Sequence, residues 1–232
     1  MLRLEKLVLR HRDGFSLEAD LAISKGARVV IIGPSGAGKS SLLASIAGFV
    51  QPDSGQIYWD ALDLLPLAVG ARPISMIFQD NNLFPHLTAA QNVGLGITSR
   101  GRLRAEEAEL VEETLAQVGL AGLGERKPKA LSGGQQSRVA LARMVLQNRP
   151  LVLLDEPFSA LGPALRAEML DLLSALCDRT GATVLMVSHD PADALRFASH
   201  VIWLDQGRAH APKPAKEIMA DPPDAMRAYL GL

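Results

Sequence analysis

The sequence predicts an α/β fold, a parallel central sheet with helices packed on it. Three observations carry the prediction. Val29-Val30-Ile31-Ile32, Leu151-Val152-Leu153-Leu154 and Val184-Leu185-Met186-Val187 are wholly apolar runs, the texture of strands covered on both faces. Stretches of good helix formers separate them, and strands alternating with helices call for a parallel sheet. Each run ends in polar or glycine-rich residues: Gly33 to Ser41, Asp155-Glu156 and Ser188-His189-Asp190. Open parallel sheets bind ligands outside the carboxyl ends of their strands, so these are the candidate functional residues.

The elements follow in order. Leu2 to Leu9 alternates loosely and reads as a strand. A polar turn, His11-Arg12-Asp13-Gly14, leads to a second, half-buried strand in which Phe15, Leu17, Ala19 and Leu21 alternate with polar residues. These two form an N-terminal antiparallel β portion. Lys25-Gly26 turns the chain into the Val29 strand, and Ser40 to Ala47, free of Gly and Pro, is a helix. Gln51 to Gly55 is a turn, with strands following at Gln56 to Trp59 and at Ile74 to Phe78, the latter ending at Gln79. Asp80 to Gly101, rich in Asn, Leu and Gly, reads as loop. Arg102 to Val118 reads as an amphipathic helix, with Leu103, Leu110, Val111, Leu115 and Val118 on its apolar face and the glutamates on a solvated one. Gly119 to Lys129 is loop, and Ser132 caps a helix over Gln135 to Gln147. Residues 80–145 are therefore a mostly helical insertion in a single domain spanning 1–232. After Pro150 come the Leu151 strand, a helix over Leu165 to Asp178, the Thr183 to Val187 strand, a helix over Pro191 to Ala198 and a strand at Val201 to Leu204. The tail from Ala211 onward ends in a short helix.

Composition sets the class. The 232 residues are 48% hydrophobic and 21% charged, the balance of a globular domain. Net charge is −1 with no stripe of Lys and Arg, so no nucleic acid partner is expected. Cys177 is the single cysteine, which excludes an intrachain disulfide and reads as a small core hydrophobe in a reducing compartment. No apolar stretch approaches the roughly 18 residues that span a bilayer. Met1 to Lys6 does not read as a signal peptide. The expectation is a cytoplasmic protein free to dock on a membrane protein.

The chemistry begins at Gly33-Pro34-Ser35-Gly36-Ala37-Gly38-Lys39-Ser40-Ser41, which fits G-x-x-x-x-G-K-[ST] without mismatch and lies between a strand and a helix. The glycines let backbone N–H groups turn inward on an anion, at the positive end of a helix dipole. Lys39 would reach the β- and γ-phosphates of a nucleoside triphosphate, and the Ser40 hydroxyl would hold Mg²⁺. Asp155, closing an apolar strand, would hold the same Mg²⁺, and Glu156 beside it would polarise the attacking water as general base. Gln79 would position water or bind the metal. His189 would hydrogen-bond the γ-phosphate. Leu131-Ser132-Gly133-Gly134-Gln135 bares backbone N–H groups at a second helix start, a second anion site.

Taken in order along the whole chain, these motifs resemble the ATPase subunits of ABC transporters: Gly33 to Ser41 (Walker A), Gln79 (Q-loop), Leu131 to Gln135 (signature), Leu151 to Glu156 (Walker B and base), Ser159-Ala160-Leu161 (D-loop) and His189 (switch). The resemblance implies a P-loop NTPase (RecA-like) core with a helical signature subdomain. It implies ATP and Mg²⁺ as cofactors, and a second copy of the chain as partner, each ATP lying between one Walker A and the other chain's Ser132, Gly133, Gly134 and Gln135. It also implies membrane-spanning permease subunits contacted through Asn81 to His86, a periplasmic solute-binding protein acting indirectly, and residence on the cytoplasmic face of the bacterial inner membrane. Asp80 to Gly96, Gly48-Phe49 and Pro157 to Leu161 are similar, more narrowly, to bacterial thiamine-importer ATPases. The length agrees with those rather than with ATPases of iron, sulfate or polyamine importers, which usually carry a regulatory domain.

The sequence departs from the family in three places. The D-loop normally ends in Asp where this chain has Gly162, which predicts weaker hydrolysis or weaker communication between sites. The family often has Arg-Gln where Gln136-Ser137 follows the signature. It also stacks the adenine on an aromatic near the N-terminus. The candidates are His11 and Phe15, with Phe15 expected in the core and His11 left to meet the base.

Overall fold

The computed structural model describes residues 1–11, 14–98 and 103–231. In chain order the strands are β1 (Leu2–Arg10), β2 (Ser16–Ile23), β3 (Arg28–Ile32), β4 (Ser54–Trp59), β5 (Leu62–Asp63), β6 (Ile74–Ile77), β7 (Leu151–Asp155), β8 (Thr183–Val187), β9 (His200–Asp205), β10 (Arg208–Ala209) and β11 (Lys213–Pro214). The helices are α1 (Lys39–Ala47), α2 (Ala89–Gly94), α3 (Ala105–Gln117), α4 (Gly133–Gln147), α5 (Pro163–Thr180), α6 (Pro191–Phe197), α7 (Ala215–Ala220) and α8 (Asp224–Leu230).

The strands form one sheet with two characters. On one side β9, β3, β8, β7 and β6 lie side by side and all parallel. On the other, β2, β1, β4 and β5 are antiparallel neighbours. The short β10 joins the halves, antiparallel to β9 and parallel to β2. This is the α/β P-loop NTPase arrangement, with its antiparallel portion at the N-terminus.

The period of two in a strand explains why β3, β7, β8 and β9 carry continuous apolar runs. Val29, Ile31, Leu151, Leu153, Leu185, Val187, Ile202 and Leu204 face one hydrophobic core, shared with α1 and the antiparallel strands. Their alternates Val30, Ile32, Val152, Leu154, Val184, Met186, Val201 and Trp203 face a second core, shared with α3, α4 and α5. Both faces are thus dry, and no polar alternation is possible. The antiparallel β2 shows the opposite texture, strictly alternating exposed and buried residues.

Three expectations are corrected. The stretch 80–101 is not all loop. Thr88 caps α2, its hydroxyl accepting from Gln91 N–H while the Gln91 side chain accepts from Thr88 N–H. That Thr-x-x-Gln capping box was legible, but the helix behind it is only a turn and a half, too short for periodicity to show. Leu110 is 45% exposed, because the buried stripe of α3 runs through Val111, Thr114, Leu115 and on to Val118, about 100° away. Phe15 precedes β2 rather than beginning it, and is half-buried at the rim of a cavity. The tail ends in a short helix as expected, α8, with a second, α7, ahead of it. The turn read at His11 to Gly14 and the flanks of the 80–101 and 102–118 segments fall partly on 12–13 and 99–102, outside the described residues.

Candidate functional site

The carboxyl ends of β3, β6, β7 and β8 carry Gly33, Gln79, Asp155-Glu156 and His189 on one edge of the sheet. Gly33 follows β3 because nothing larger fits: a Cβ there would lie 1.9 Å from the Leu204 carbonyl oxygen. Gly38 ends the loop in left-handed conformation, φ 100°, as the N-cap of α1. Lys39, the first residue of α1 and buried at 9% exposure, folds back and donates from Nζ to the carbonyls of Gly33 at 2.7 Å and Pro34 at 2.8 Å. The ammonium thereby braces the loop from inside. Burial lowers its pKa from the usual lysine range, while Glu156 and Asp155 pull it partly back.

Ser40 Oγ donates to Asp155 Oδ1 at 3.0 Å. Burial raises the pKa of Asp155 above the usual carboxylate range, opposed by that hydrogen bond. Glu156 follows with φ 47°, a left-handed conformation that costs a non-glycine residue about 1 kcal/mol or more. Its backbone is held there by hydrogen bonds: Glu156 N–H donates to Val187 O at 3.2 Å, and Ser159 donates N–H at 3.2 Å and Oγ–H at 3.1 Å to Glu156 O. The twist aims the Glu156 carboxylate at His189, whose Nδ1 lies 3.4 Å from Glu156 Oε2.

Lys39, Ser40 and Glu156 line a cavity of about 360 Å³ together with His11, Phe15 and Gly38; His189 and Asp155 are not among its lining residues. The His11 and Phe15 rings are tilted against each other, 5.5 Å between centroids, and Phe15 also packs toward Gly38. Gln79 is exposed and lines a neighbouring cavity together with Asp155, Asn82 and Ala160. Ser132 to Gln135 line neither. Ser132 caps α4 in a reciprocal box with Gln135 (Gln135 N–H to Ser132 Oγ 3.3 Å, Ser132 N–H to Gln135 Oε1 2.9 Å), and Ser132 and Gly133 face outward. Gly134 packs against Leu165, where a Cβ would meet the side chain at 2.6 Å.

Several residues escaped the sequence reading. Arg143, on α4, is 9% exposed and donates to the carbonyls of Asn82 and Asn81, both at 2.9 Å, clamping the turn after Gln79. Asn81 and Asn82 are both left-handed there, φ 58° and 47°. The fully buried Asn92 accepts from Phe84 N–H and donates to the carbonyls of Phe84, Leu87 and Thr88. An Arg inside the apolar run Val139 to Met144 was a usable signal. The Asn92 contacts had none.

A strand–glycine loop–helix unit, a bracing lysine, and a serine paired with a strand-end carboxylate define a nucleoside triphosphatase. The particular class follows from relatives. The model of a protein family described as ABC transporter matches residues 17–159. The chain is 57% identical over 231 residues to the thiamine import ATP-binding protein ThiQ of Cereibacter sphaeroides, covering 100% of both chains. It is 54% identical over 231 residues to the protein of that name from Ruegeria sp., again covering 100% of both. Among solved structures, the dimeric post-hydrolysis state of the ATP-binding cassette MJ0796 bound to ADP and Pi is 33% identical, with TM-score 0.80 over 93% of this chain and 99% of that one. CbiO1 of Clostridium perfringens, part of an ABC transporter complex, gives TM-score 0.83 at 27% identity, over 99% of this chain and 94% of that one. The chain belongs to the ABC transporter family, as an ATP-hydrolysing subunit that couples turnover to transport.

Proposed function

We propose that this chain is the ATPase of a bacterial thiamine importer. The observation that carries the cargo is identity above half over the full length with relatives named for thiamine import.

The site chemistry divides among named groups. Gly33 to Ser41 wraps the phosphates with backbone N–H groups, and Lys39 exchanges its carbonyl partners for β- and γ-phosphate oxygens. Ser40 and Asp155 present hard oxygens 3.0 Å apart, and the buried carboxylate gains from a cation, which fits Mg²⁺. Among the described residues no cluster of three or more His, Cys, Asp or Glu could hold a metal; Ser40 and Asp155 would hold Mg²⁺, with Gln79 lining a cavity together with Asp155. Bound Mg²⁺ would neutralise charge on the transferring phosphoryl group. Glu156 accepts the proton of the attacking water, and His189 contacts the γ-phosphate. His11 and Phe15 at the rim are left to meet the base.

Ser132 and Gly133 face outward, away from the cavity, which supports completion of each site by a second copy. Among the described residues no helix is long and apolar enough to cross a membrane. Attachment to the inner face of the membrane therefore runs through permease subunits, with the loop Asn81 to His86 as the contact and a periplasmic binding protein acting upstream of them. Uptake of labelled thiamine in cells lacking this chain tests both parts. Wild type is expected to restore it. Glu156→Gln is expected to fail while still binding ATP and accumulating as a dimer. Uptake that never depends on the chain would remove thiamine as the cargo, and restoration by Glu156→Gln would remove Glu156 as the base.

A further inference from the structure

Behind His189 lies a buried polar lattice that phosphate binding does not use. Arg166 extends from α5 and Asp193 from α6. Arg166 Nε and Nη2 donate to Asp193 Oδ2 at 3.1 and 2.6 Å, and Nη2 also donates to Ser188 Oγ at 3.1 Å. Ser188 Oγ donates to the same Asp193 oxygen at 2.6 Å and accepts Asp190 N–H at 3.0 Å. Arg166 Nη1 lies 3.4 Å from Asp190 Oδ2, while Asp190 Oδ1 accepts from Ala192 N–H and caps α6. The Arg166 and Asp193 side chains are 13% and 7% exposed. The neighbours of His189 on both sides are therefore pinned, whereas the His189 side chain is half exposed.

We propose that Arg166 and Asp193 are positioning residues for ATP turnover, holding Ser188 and Asp190 so that His189 stays in register with Glu156. The inference rests on the reading of His189 as the group that contacts the γ-phosphate. Charge-assisted, forked bonds shielded from water hold a geometry more tightly than exposed pairs do. Only a guanidinium reaches Asp193, Ser188 and Asp190 together, so lysine is not equivalent here. The lattice also reaches the D-loop. Arg166 sits in the first turn of α5, its backbone N–H bonded to Gly162 O at 2.9 Å, directly after Ser159-Ala160-Leu161. A shift of that loop against a second copy would reach His189 through Arg166.

The test measures steady-state ATP turnover and ATP affinity in the full chain, with thermal midpoints to confirm folding. The variants are His189→Ala, Arg166→Met, Arg166→Lys and Ser188→Ala. Arg166→Met is expected to lower kcat about tenfold or more with KM for ATP within about twofold, because misplacement of a catalytic group acts on the transition state. Arg166→Lys, retaining one ion pair, should recover the thermal midpoint but only part of kcat. Ser188→Ala, which leaves the Arg166–Asp193 pair in place, should lower kcat without moving KM and carries the test should Arg166→Met not fold. If His189→Ala is slow while the Arg166 and Ser188 variants turn over at the wild-type rate, the positioning role is wrong and the role of His189 stands. If His189→Ala itself turns over normally, the reading of His189 falls and the proposal with it. A loss of ATP affinity in step with kcat would make the lattice merely structural.

Discussion

Asp155 carries a cost in the nucleotide-free protein. Its carboxylate is pulled from water beside a second acid, Glu156, and its hydrogen bond from Ser40 offsets only part of the desolvation. A carboxyl whose folded pKa is raised holds its proton to higher pH than in the unfolded chain. Stability is therefore lost as pH rises from the ordinary value of 3.8 through the folded value, and the penalty is absent below both. Asp155→Asn keeps an oxygen that accepts from Ser40 and removes the charge. Its thermal midpoint should exceed wild type near neutral pH, the difference should shrink as pH falls toward 4, and Mg²⁺-dependent turnover should vanish. A midpoint difference that ignores pH would refute the burial argument. Much at this scale was legible: Lys39 and Ser40 stand in a glycine-spaced motif between a strand and a helix, and Asp155 and Glu156 close an apolar strand. Arg166 and Asp193 were not, because they meet from different helices, and Asn92 was not, because its partners lie in the irregular turn ahead of α2.

At the scale of elements, α5 shows what Gly162 leaves undone. Gly162 is the N-cap residue, extended at φ −65° and ψ 158°, with no side chain to accept from the first turn and with Pro163 at N1. Nothing lies within 4 Å of a Cβ built there. Gly162→Asp should therefore fit without strain, cap the helix and favour its positive end. A gain of roughly 0.5–1 kcal/mol is expected, from the cap together with a less flexible unfolded chain, read as a higher urea midpoint at unchanged m-value. A loss of stability would show that the loop needs glycine for another reason. The same physics explains which elements could be read ahead. The helices α3, α4 and α5 are long enough for composition and caps to mark them. The short α2 survives through its capping box and the four hydrogen bonds of Asn92, which is tertiary support for a segment that would not hold alone.

At the scale of the molecule, the parallel strands divide their side chains between two cores, which makes a rigid floor with every strand end on one edge. That edge gathers the phosphate loop, the carboxylates and the histidine, while the signature turn faces elsewhere. On the reading proposed above, a second copy completes the site. In the Glu156→Gln background, Ser132→Arg should leave the ATP affinity of the monomer within about threefold and abolish ATP-driven dimers in sedimentation experiments. Dimers that survive Ser132→Arg would mean that the signature does not cover the partner's nucleotide.

The sequence by itself determined the fold class, the order of motifs and the family, because each is written in residues close along the chain: apolar runs, glycine spacing, caps. It also marked Phe15 and His11 as competitors for one task, and there local pattern misled, since alternation extended the strand by one residue too many. The tertiary structure alone decided which polar groups are buried together. Arg143 meets Asn81 and Asn82 across 62 and 61 residues, and Arg166 meets Asp193 across 27. Such contacts depend on how helices seat on the sheet, and they are specified by packing of the two cores rather than by any local spacing of the residues that make them.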